Sequence, residues 1–257
     1  MKASTADCPL IFHPFKIMSK DFFYVDPANI RGQFLTIEGD ESKHIVRVLR
    51  KSEGELLWVV DGVDRAYEVV IRSIQQQTVE CEILSVHERF NETEIEVTLA
   101  VAVLKNPSRM EWLVEKGTEL GIRRFIPVST SRTVAQSSKE NRLKKIAHSA
   151  MKQSGRSYLP QIYPITSMDS VMHHASVFDL RIIPYEQTDE ALFIAEALRH
   201  RQKPTSSLIV IGPEGGFTEE EIQAAEGAGF VQVSLGKRRL RTETAALVAA
   251  AWVIGNY

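Results

Sequence analysis

Residues 208–222 read LIVIGPEGGFTEEEI, and this stretch decides the fold class. Leu208 to Ile211 are consecutive aliphatic residues with no polar alternation, the pattern of a strand covered on both faces. Thr218 followed by Glu221 is a capping box, so a helix is predicted from that point. Between strand and helix lie Gly212, Pro213, Glu214, Gly215 and Gly216. A strand, a glycine turn and a helix form half of a βαβ unit, and in open parallel sheets ligands bind at the carboxyl ends of the strands. The turn lacks the Gly-Lys-Ser/Thr of a P-loop and the Gly-x-Gly-x-x-Gly of a dinucleotide fingerprint. It reads either as a loop that brings bare backbone to a ligand or as a plain connector.

The pattern repeats toward the C-terminus. FVQVSLG, residues 230–236, is a strand ended by Leu235-Gly236. Lys237, Arg238, Arg239 and Arg241 then crowd a short loop before Thr242, Glu243 and Thr244 at the next helix start. Two such loops side by side make a cleft for a small ligand and a charged polymer. The helix that follows, AALVAAAWVI from Ala245 to Ile254, has no polar face. A helix of that kind needs cover on all sides, and a second copy of the chain, a homodimer, is the expected cover on the side away from the sheet.

Toward the N-terminus the same grammar holds back to Ile95. EVTLAVAVL (96–104) and RRFIPVST (123–130) read as buried strands, with further strands near LRIIPY (180–185). The helix in NPSRMEWLVEKGTELG (106–121) carries Ser108 and Glu111 as a capping box and Gly121 as a stop, and another helix runs to about Ser154. Alternating strands and helices predict an α/β domain with a parallel sheet over residues 95–257. Before it, residues 18–88 hold short strands broken by turn signals, with one helix, ESKHIVRVLR, capped by Ser42; this reads as a small β-barrel. HERFNETE, residues 87–94, reads as a linker, and residues 1–17 as an N-terminal extension.

Composition excludes several classes. The chain has 257 residues, 25% of them charged, and a net charge of -2, so any nucleic acid must be held by local patches. No apolar run approaches the length of a membrane span. Cys8 and Cys81 stand far apart, which fits a reducing cytoplasm, and the seven histidines show no metal-ligand spacing. No Gly-x-Ser-x-Gly elbow is present.

One stretch is strongly one-sided. Between Glu140 and Asp169 there is no acidic residue, while Arg142, Lys144, Lys145, His148, Lys152 and Arg156 lie within it. A solvated face normally mixes signs, so this is a candidate RNA track, extended by Arg47 and Arg50 on the helix of the small barrel. An exposed basic helix without a partner is the plainer alternative.

Taken in order, HIVRVLR (44–50), LVEKGTELGIRRFIPVST (113–130), QSGRSYLP (153–160), IGPEGG (211–216) and LGKRRLRTETA (235–245) resemble the ribosomal RNA small subunit methyltransferase E family of the SPOUT superfamily. The resemblance covers nearly the whole chain from about Met18. It implies a PUA-like β-barrel over 18–88, a SPOUT domain with a trefoil knot over 95–257, and a homodimer. It also implies methylation of N3 of a uridine in 16S rRNA of the small ribosomal subunit, with S-adenosylmethionine as donor and without a metal or a membrane. The cofactor lining carried over is Ile183, Pro184, Tyr185, Ile211, Gly212, Pro213, Glu214, Gly215, Gly216, Leu235, Gly236, Leu240, Thr242, Thr244 and Ala245. The RNA contacts implied are Arg47, Arg50, Lys105, Arg109, Arg142, Lys145, Lys152, Gln153, Arg156, Arg238 and Arg239. Two positions depart from the family pattern: Arg239 stands where an aliphatic residue is usual, and Lys152 where Glu precedes the Gln-Ser pair. Both add positive charge.

In methyl transfer to N3, Arg241 is the expected stabiliser of negative charge on the uracil carbonyls. Glu243 either accepts the proton or orders Arg241 and the helix start. Two other classes remain open from sequence: an RNA-binding assembly factor that kept the fold, and a nucleotide-dependent metabolic enzyme using the glycine loop.

Overall fold

The computed structural model describes residues 21–75, 77–133, 139–185, 192–198 and 203–257; the expected extension over 1–17 and Cys8 lie outside them. Chain order begins with β1 (Phe22–Tyr24), β2 (Ile30–Arg31), β3 (Phe34–Glu38), α1 (Gly39–Lys43), β4 (Leu56–Val60), β5 (Arg65–Ile74) and β6 (Thr78–Glu88). These strands form one six-stranded sheet in the order β1-β4-β5-β6-β3-β2, antiparallel except where β1 meets β4. Register shifts at Glu68/Val69 and Ile71/Ser73 bend the long β5–β6 pair, as bulges do. Phe23, Leu35, Ile37, Leu57, Val59, Val69 and Ile71 meet Ile45 in a single core.

ESKHIVRVLR is not one helix capped by Ser42. Helix α1 starts after Glu38, which makes no side-chain cap, and Ser42 is buried inside it. From His44 to Val48 the chain widens into a π-helical turn. The wider turn lets Ile45 sink fully into the core while His44 and Arg47 stay in solvent.

The second sheet is parallel throughout. Its elements are β7 (Glu96–Ala102), α2 (Pro107–Leu120), β8 (Arg124–Ser129), α3 (Glu140–Ser154), β9 (Gln161–Ile162), β10 (Thr166–Ser167), α4 (Met168–His173) and β11 (Leu180–Pro184). They continue with β12 (Leu192–Phe193), α5 (Ile194–Leu198), β13 (Ser206–Ile211), α6 (Glu219–Gly227), β14 (Val231–Ser234) and α7 (Thr242–Asn256). The order is β10-β8-β7-β13-β11-β14-β12, with β9 also beside β8. Inward residues of both faces are mostly apolar, with Thr98 and Ser207 as buried polar exceptions. Leu99, Ile182 and Ile209 pack with α2, α3 and α7 on one side; Ala100, Ile183, Leu208 and Val210 pack with α4 and α6 on the other.

Helix ends follow local chemistry, with one correction. Asn106 caps α2, its Oδ1 accepting the Ser108 N–H at 3.0 Å, and Pro107 fills the first turn; the expected Ser108–Glu111 box does not form. Gly121 ends α2 at φ 106°, a conformation L-residues avoid. The Thr218–Glu221 box on α6 is present in both directions.

Residues 87–94 are packed rather than loose. Phe90 stacks on Trp58 with centroids 5.0 Å apart. Glu92 reaches Arg156, Nη2 to Oε2 at 2.5 Å, and both side chains are almost wholly buried. Arg156 Nη1 also donates to the Thr118 and Ile122 carbonyls at 2.8 and 3.0 Å. Nearby, Asp64 takes both Nη atoms of Arg123 at 3.0 and 2.5 Å, and Arg123 lies 3.7 Å over the Tyr158 ring. Lys152 pairs with Glu41, which ties the end of α3 to α1. The two sheets are thus clamped by ion pairs inside the interface. Arg156 is a structural residue: with its charge matched and its nitrogens engaged, it is not available to RNA, which corrects the expectation from sequence.

Candidate active site at the carboxyl edge of the parallel sheet

Strands β7, β13, β11 and β14 are consecutive neighbours, so the loops leaving their carboxyl ends emerge side by side. The described parts of these loops are residues 103–106, Tyr185, residues 212–218 and residues 235–241. Parallel pairing places them there, and it is the position where open α/β sheets bind ligands.

The glycine loop has a fixed shape. Gly216 N–H donates to the Pro213 carbonyl at 2.9 Å, closing a turn, and Gly216 has φ 71°. A Cβ on Gly216 would meet nothing closer than Arg132 Nη1 at 4.0 Å, so the strain is in the backbone and the space above is open. Ile183 and Ile211 are buried, so what they offer a ligand is main chain. Tyr185 N–H donates to the Val233 carbonyl at 3.1 Å, and Gly236, at φ 108°, donates to Ser234 Oγ at 3.2 Å. Pro184, Pro213, Glu214, Gly215, Leu235 and Leu240 complete these loops, and Thr242, Thr244 and Ala245 open α7.

Helix α7 begins without a side-chain cap, its N-cap being Arg241. Its first turn is buried: Thr242 is 6% and Glu243 7% exposed. Glu243 Oε1 lies 3.6 Å from Arg109 Nε on α2, and Glu243 Oε2 is buried with no hydrogen-bond partner among the described residues. An unpartnered buried carboxylate oxygen is costly unless something else engages it.

The cations expected to touch RNA divide by partner. Arg142 pairs with Glu111, Lys152 with Glu41 and Arg109 with Glu243. Arg47, Arg50, Lys105, Lys145, Lys237, Arg238, Arg239 and Arg241 are exposed, and none has a carboxylate partner among the described residues; Gln153 is exposed too. Arg50 holds φ 54°, an uncommon conformation for a non-glycine residue. The Glu41–Lys152 pair makes the Arg47–Arg50 turn continuous with α3. Beside Lys152, burial and the Lys152 charge hold the His148 imidazole below its ordinary range. The free cations therefore concentrate at the loop edge and the π-helical turn.

Arg132 was not singled out from sequence. It follows β8 and its Nη1 donates to the Gly215 and Phe217 carbonyls at 2.8 and 3.1 Å. Its position just past the end of a parallel strand was the available signal.

Among the described residues no helix is long and apolar enough to cross a membrane, and no group of three or more His, Cys, Asp or Glu is arranged to hold a metal.

Comparison with known proteins places these features. A family model described as an RNA methyltransferase domain matches residues 91–254, and one described as an RNA methyltransferase PUA domain matches residues 37–84. Ribosomal RNA small subunit methyltransferase E of Bacillus subtilis is 33% identical over 225 residues, covering 83% of this chain and 87% of the relative. The structure of the Neisseria gonorrhoeae protein of that name, bound to S-adenosyl methionine, superposes with TM-score 0.77 at 31% identity, covering 90% of this chain and 95% of the other. A Legionella pneumophila methyltransferase with bound SAM gives TM-score 0.76 at 29% identity, over 92% and 97% of the two chains.

Proposed function

The chain belongs to the ribosomal RNA small subunit methyltransferase E family, and from that membership we propose that it methylates N3 of a uridine in 16S rRNA of the small ribosomal subunit, with S-adenosylmethionine as donor. The observation that carries the reading is the buried, unpartnered Glu243 Oε2 beneath adjacent loops of bare backbone and unpaired cations. The donor fits these residues. A Cβ on Gly216 would meet nothing closer than 4.0 Å, Gly215 is exposed beside the Arg132 stem, and the chain after β14 adds further main chain at this edge. When bound, the sulfonium supplies a methyl group that is already activated, so neither a metal nor a covalent enzyme intermediate is required.

The chain's own residues then have three tasks. The loops align donor and acceptor, which lowers the barrier chiefly by positioning. Arg241, exposed and without a carboxylate partner among the described residues, stabilises the negative charge that develops on the uracil carbonyls as N3 loses its proton. Glu243 accepts that proton on Oε2, while Arg109 holds Oε1. The partner of Glu243 is Arg109 rather than Arg241, which favours the acceptor role over an ordering role.

The target base must leave its helix or lie in a single strand to reach this edge. Phosphates on either side are held by the free cations of the loop 237–241 and by Arg47 and Arg50. Residues 18–88 form the PUA-like barrel and 95–257 the SPOUT domain. The trefoil knot is supported by the strand order, with the chain after β14 returning as α7 to pack on α2, β7 and β13. A homodimer is supported by the outer face of α7, where Ala251 and Trp252 are exposed and Phe193 meets Trp252 edge-on at 5.6 Å. The site of action is the cytoplasm.

The test is methyl transfer from labelled S-adenosylmethionine to small ribosomal subunits from a strain lacking the gene, followed by nucleoside analysis. Label in 3-methyluridine is the expected result. Label in another nucleoside would keep the reaction class and reject the acceptor. No label, with subunits shown competent for another methyltransferase, would reject both.

A further inference from the structure

Arg132 lies more than eighty residues before the glycine loop, yet it holds that loop. Its Nη1 donates to the carbonyls of Gly215 and Phe217 at 2.8 and 3.1 Å. Its aliphatic stem runs along Gly215, where a Cβ would stand 3.5 Å from both Arg132 Cβ and Cδ. The segment that carries it is itself braced: Thr130 and Thr133 share a hydroxyl contact at 2.9 Å, and Thr130 N–H donates to Thr133 Oγ1 at 3.0 Å. Next to it, Ser131 N–H donates to Glu221 Oε1 at 2.7 Å, and Glu221 Oε2 accepts the Thr218 N–H at 2.9 Å.

These bonds fix two peptide planes at both ends. In the first, the Gly215 carbonyl goes to Arg132 and the Gly216 N–H to Pro213. In the second, the Phe217 carbonyl goes to Arg132 and the Thr218 N–H to Glu221. The preceding carbonyl, of Glu214, lies 3.4 Å from Arg239 Nη2. With its carbonyls drawn outward to arginines, the loop keeps the Gly215 N–H without a protein partner among the described residues. A glycine-rich segment has the most backbone freedom to lose on ordering, so a side chain that orders it beforehand removes that cost from ligand binding.

We propose that Arg132 is a positioning residue for the methyl donor: it sets the Gly212–Phe217 backbone in its binding conformation from outside the pocket. The inference rests on the methyl-transfer reading of this site. It assigns Arg132 a role that neither charge nor exposure reveals, since an exposed arginine at a basic edge is otherwise read as a phosphate contact.

The experiment compares wild type, Arg132→Gln and Arg132→Lys in the full chain. S-adenosylmethionine affinity is measured by calorimetry, KM for donor and for RNA and kcat by methyl transfer, and Tm by thermal denaturation. Loss of two charge-assisted bonds should weaken donor binding in Arg132→Gln about tenfold. At saturating donor, kcat and RNA KM should stay near wild type, with Tm unchanged, and Arg132→Lys, able to reach one carbonyl, should fall between. Unchanged donor affinity with a raised RNA KM would overturn the inference and make Arg132 a phosphate contact. A fall in Tm that accounts for all activity loss would overturn it as well. Wild-type protein that bound no donor would remove the methyl-transfer reading itself, an outcome distinct from wild-type binding that Arg132→Gln leaves intact.

Discussion

Replacing Arg156 by Ala separates a structural arginine from an RNA-binding one. Arg156 is 2% exposed, and its partner carboxylate on Glu92 is 1% exposed. The substitution removes contacts at 2.5 and 3.3 Å to Glu92 and at 2.8 and 3.0 Å to the Thr118 and Ile122 carbonyls. Glu92 would keep only the Ser157 and Tyr158 N–H groups, at 3.1 and 3.0 Å, and its charge would stay buried. Breaking a buried pair from one side costs about 3–5 kcal/mol. At roughly 2–4 °C per kcal/mol for a chain of this size class, Tm should fall by about 6–20 °C. Removing both charges in Arg156→Met/Glu92→Met should recover much of the loss, because no lone charge is left behind. The assays are thermal denaturation of wild type and the two variants and RNA binding across a salt series. A Tm for Arg156→Ala within about 2 °C of wild type, with the salt slope reduced by about one, would refute the reasoning and return Arg156 to the RNA.

Arg241→Ala should lower kcat by about 10²–10³-fold, the usual cost of losing one charge-stabilising donor, with donor affinity nearly intact by calorimetry. A parallel loss of donor binding would remove Arg241 from the chemical step. RNA affinity should fall on a log–log plot against salt with a slope of about −0.7 per single-strand phosphate neutralised, and Arg238→Ala should make that slope shallower by about one; a flat response would count against the basic edge. Burial pushes the Cys81 thiol up to about 12, so iodoacetamide at pH 8 should label it only in denaturant. Because its folded value lies above the unfolded one of about 8.5, this group's stabilisation is full below that pH and is lost as pH rises from there toward 12. Denaturation midpoints across that window should show the loss, and Cys81→Ala should remove it.

The parallel sheet was legible at β7, β8, β11, β13 and β14, whose buried strands read as aliphatic runs, whereas β9, β10, α4, β12 and α5 were too short to announce themselves. The glycine loop and the basic loop were legible as positions at strand ends. The partner of each charge was not. Arg156, Lys152 and Arg142 look alike in sequence, yet one is enclosed, one is pinned to Glu41 and one leans on Glu111. Their partners lie at separations of tens of residues or more, beyond the reach of periodicity. Glu92 sat in a run of polar residues that read as a linker, and only the return of the chain past α3, with Arg156, Ser157 and Tyr158, turns it into a buried counter-ion. Asn106 took the cap of α2 from Ser108 because Pro107 fits the first helical position, a choice between adjacent candidates that sequence left open.

Helix α7 is the last described element to be made, and it packs on α2 and β7, which come well over a hundred residues earlier. Until it docks, α2 and β7 lack their neighbour, and Glu243 and the basic loop are absent from the edge they complete. The six-stranded sheet, in contrast, closes its contacts within its own segment and can form early in synthesis. At roughly 5–20 residues per second, the stretch from β14 onward takes seconds to appear, and docking it demands long-range closure, the slow kind of folding step. The six-stranded module can thus be folded while the edge that carries Glu243 is still incomplete.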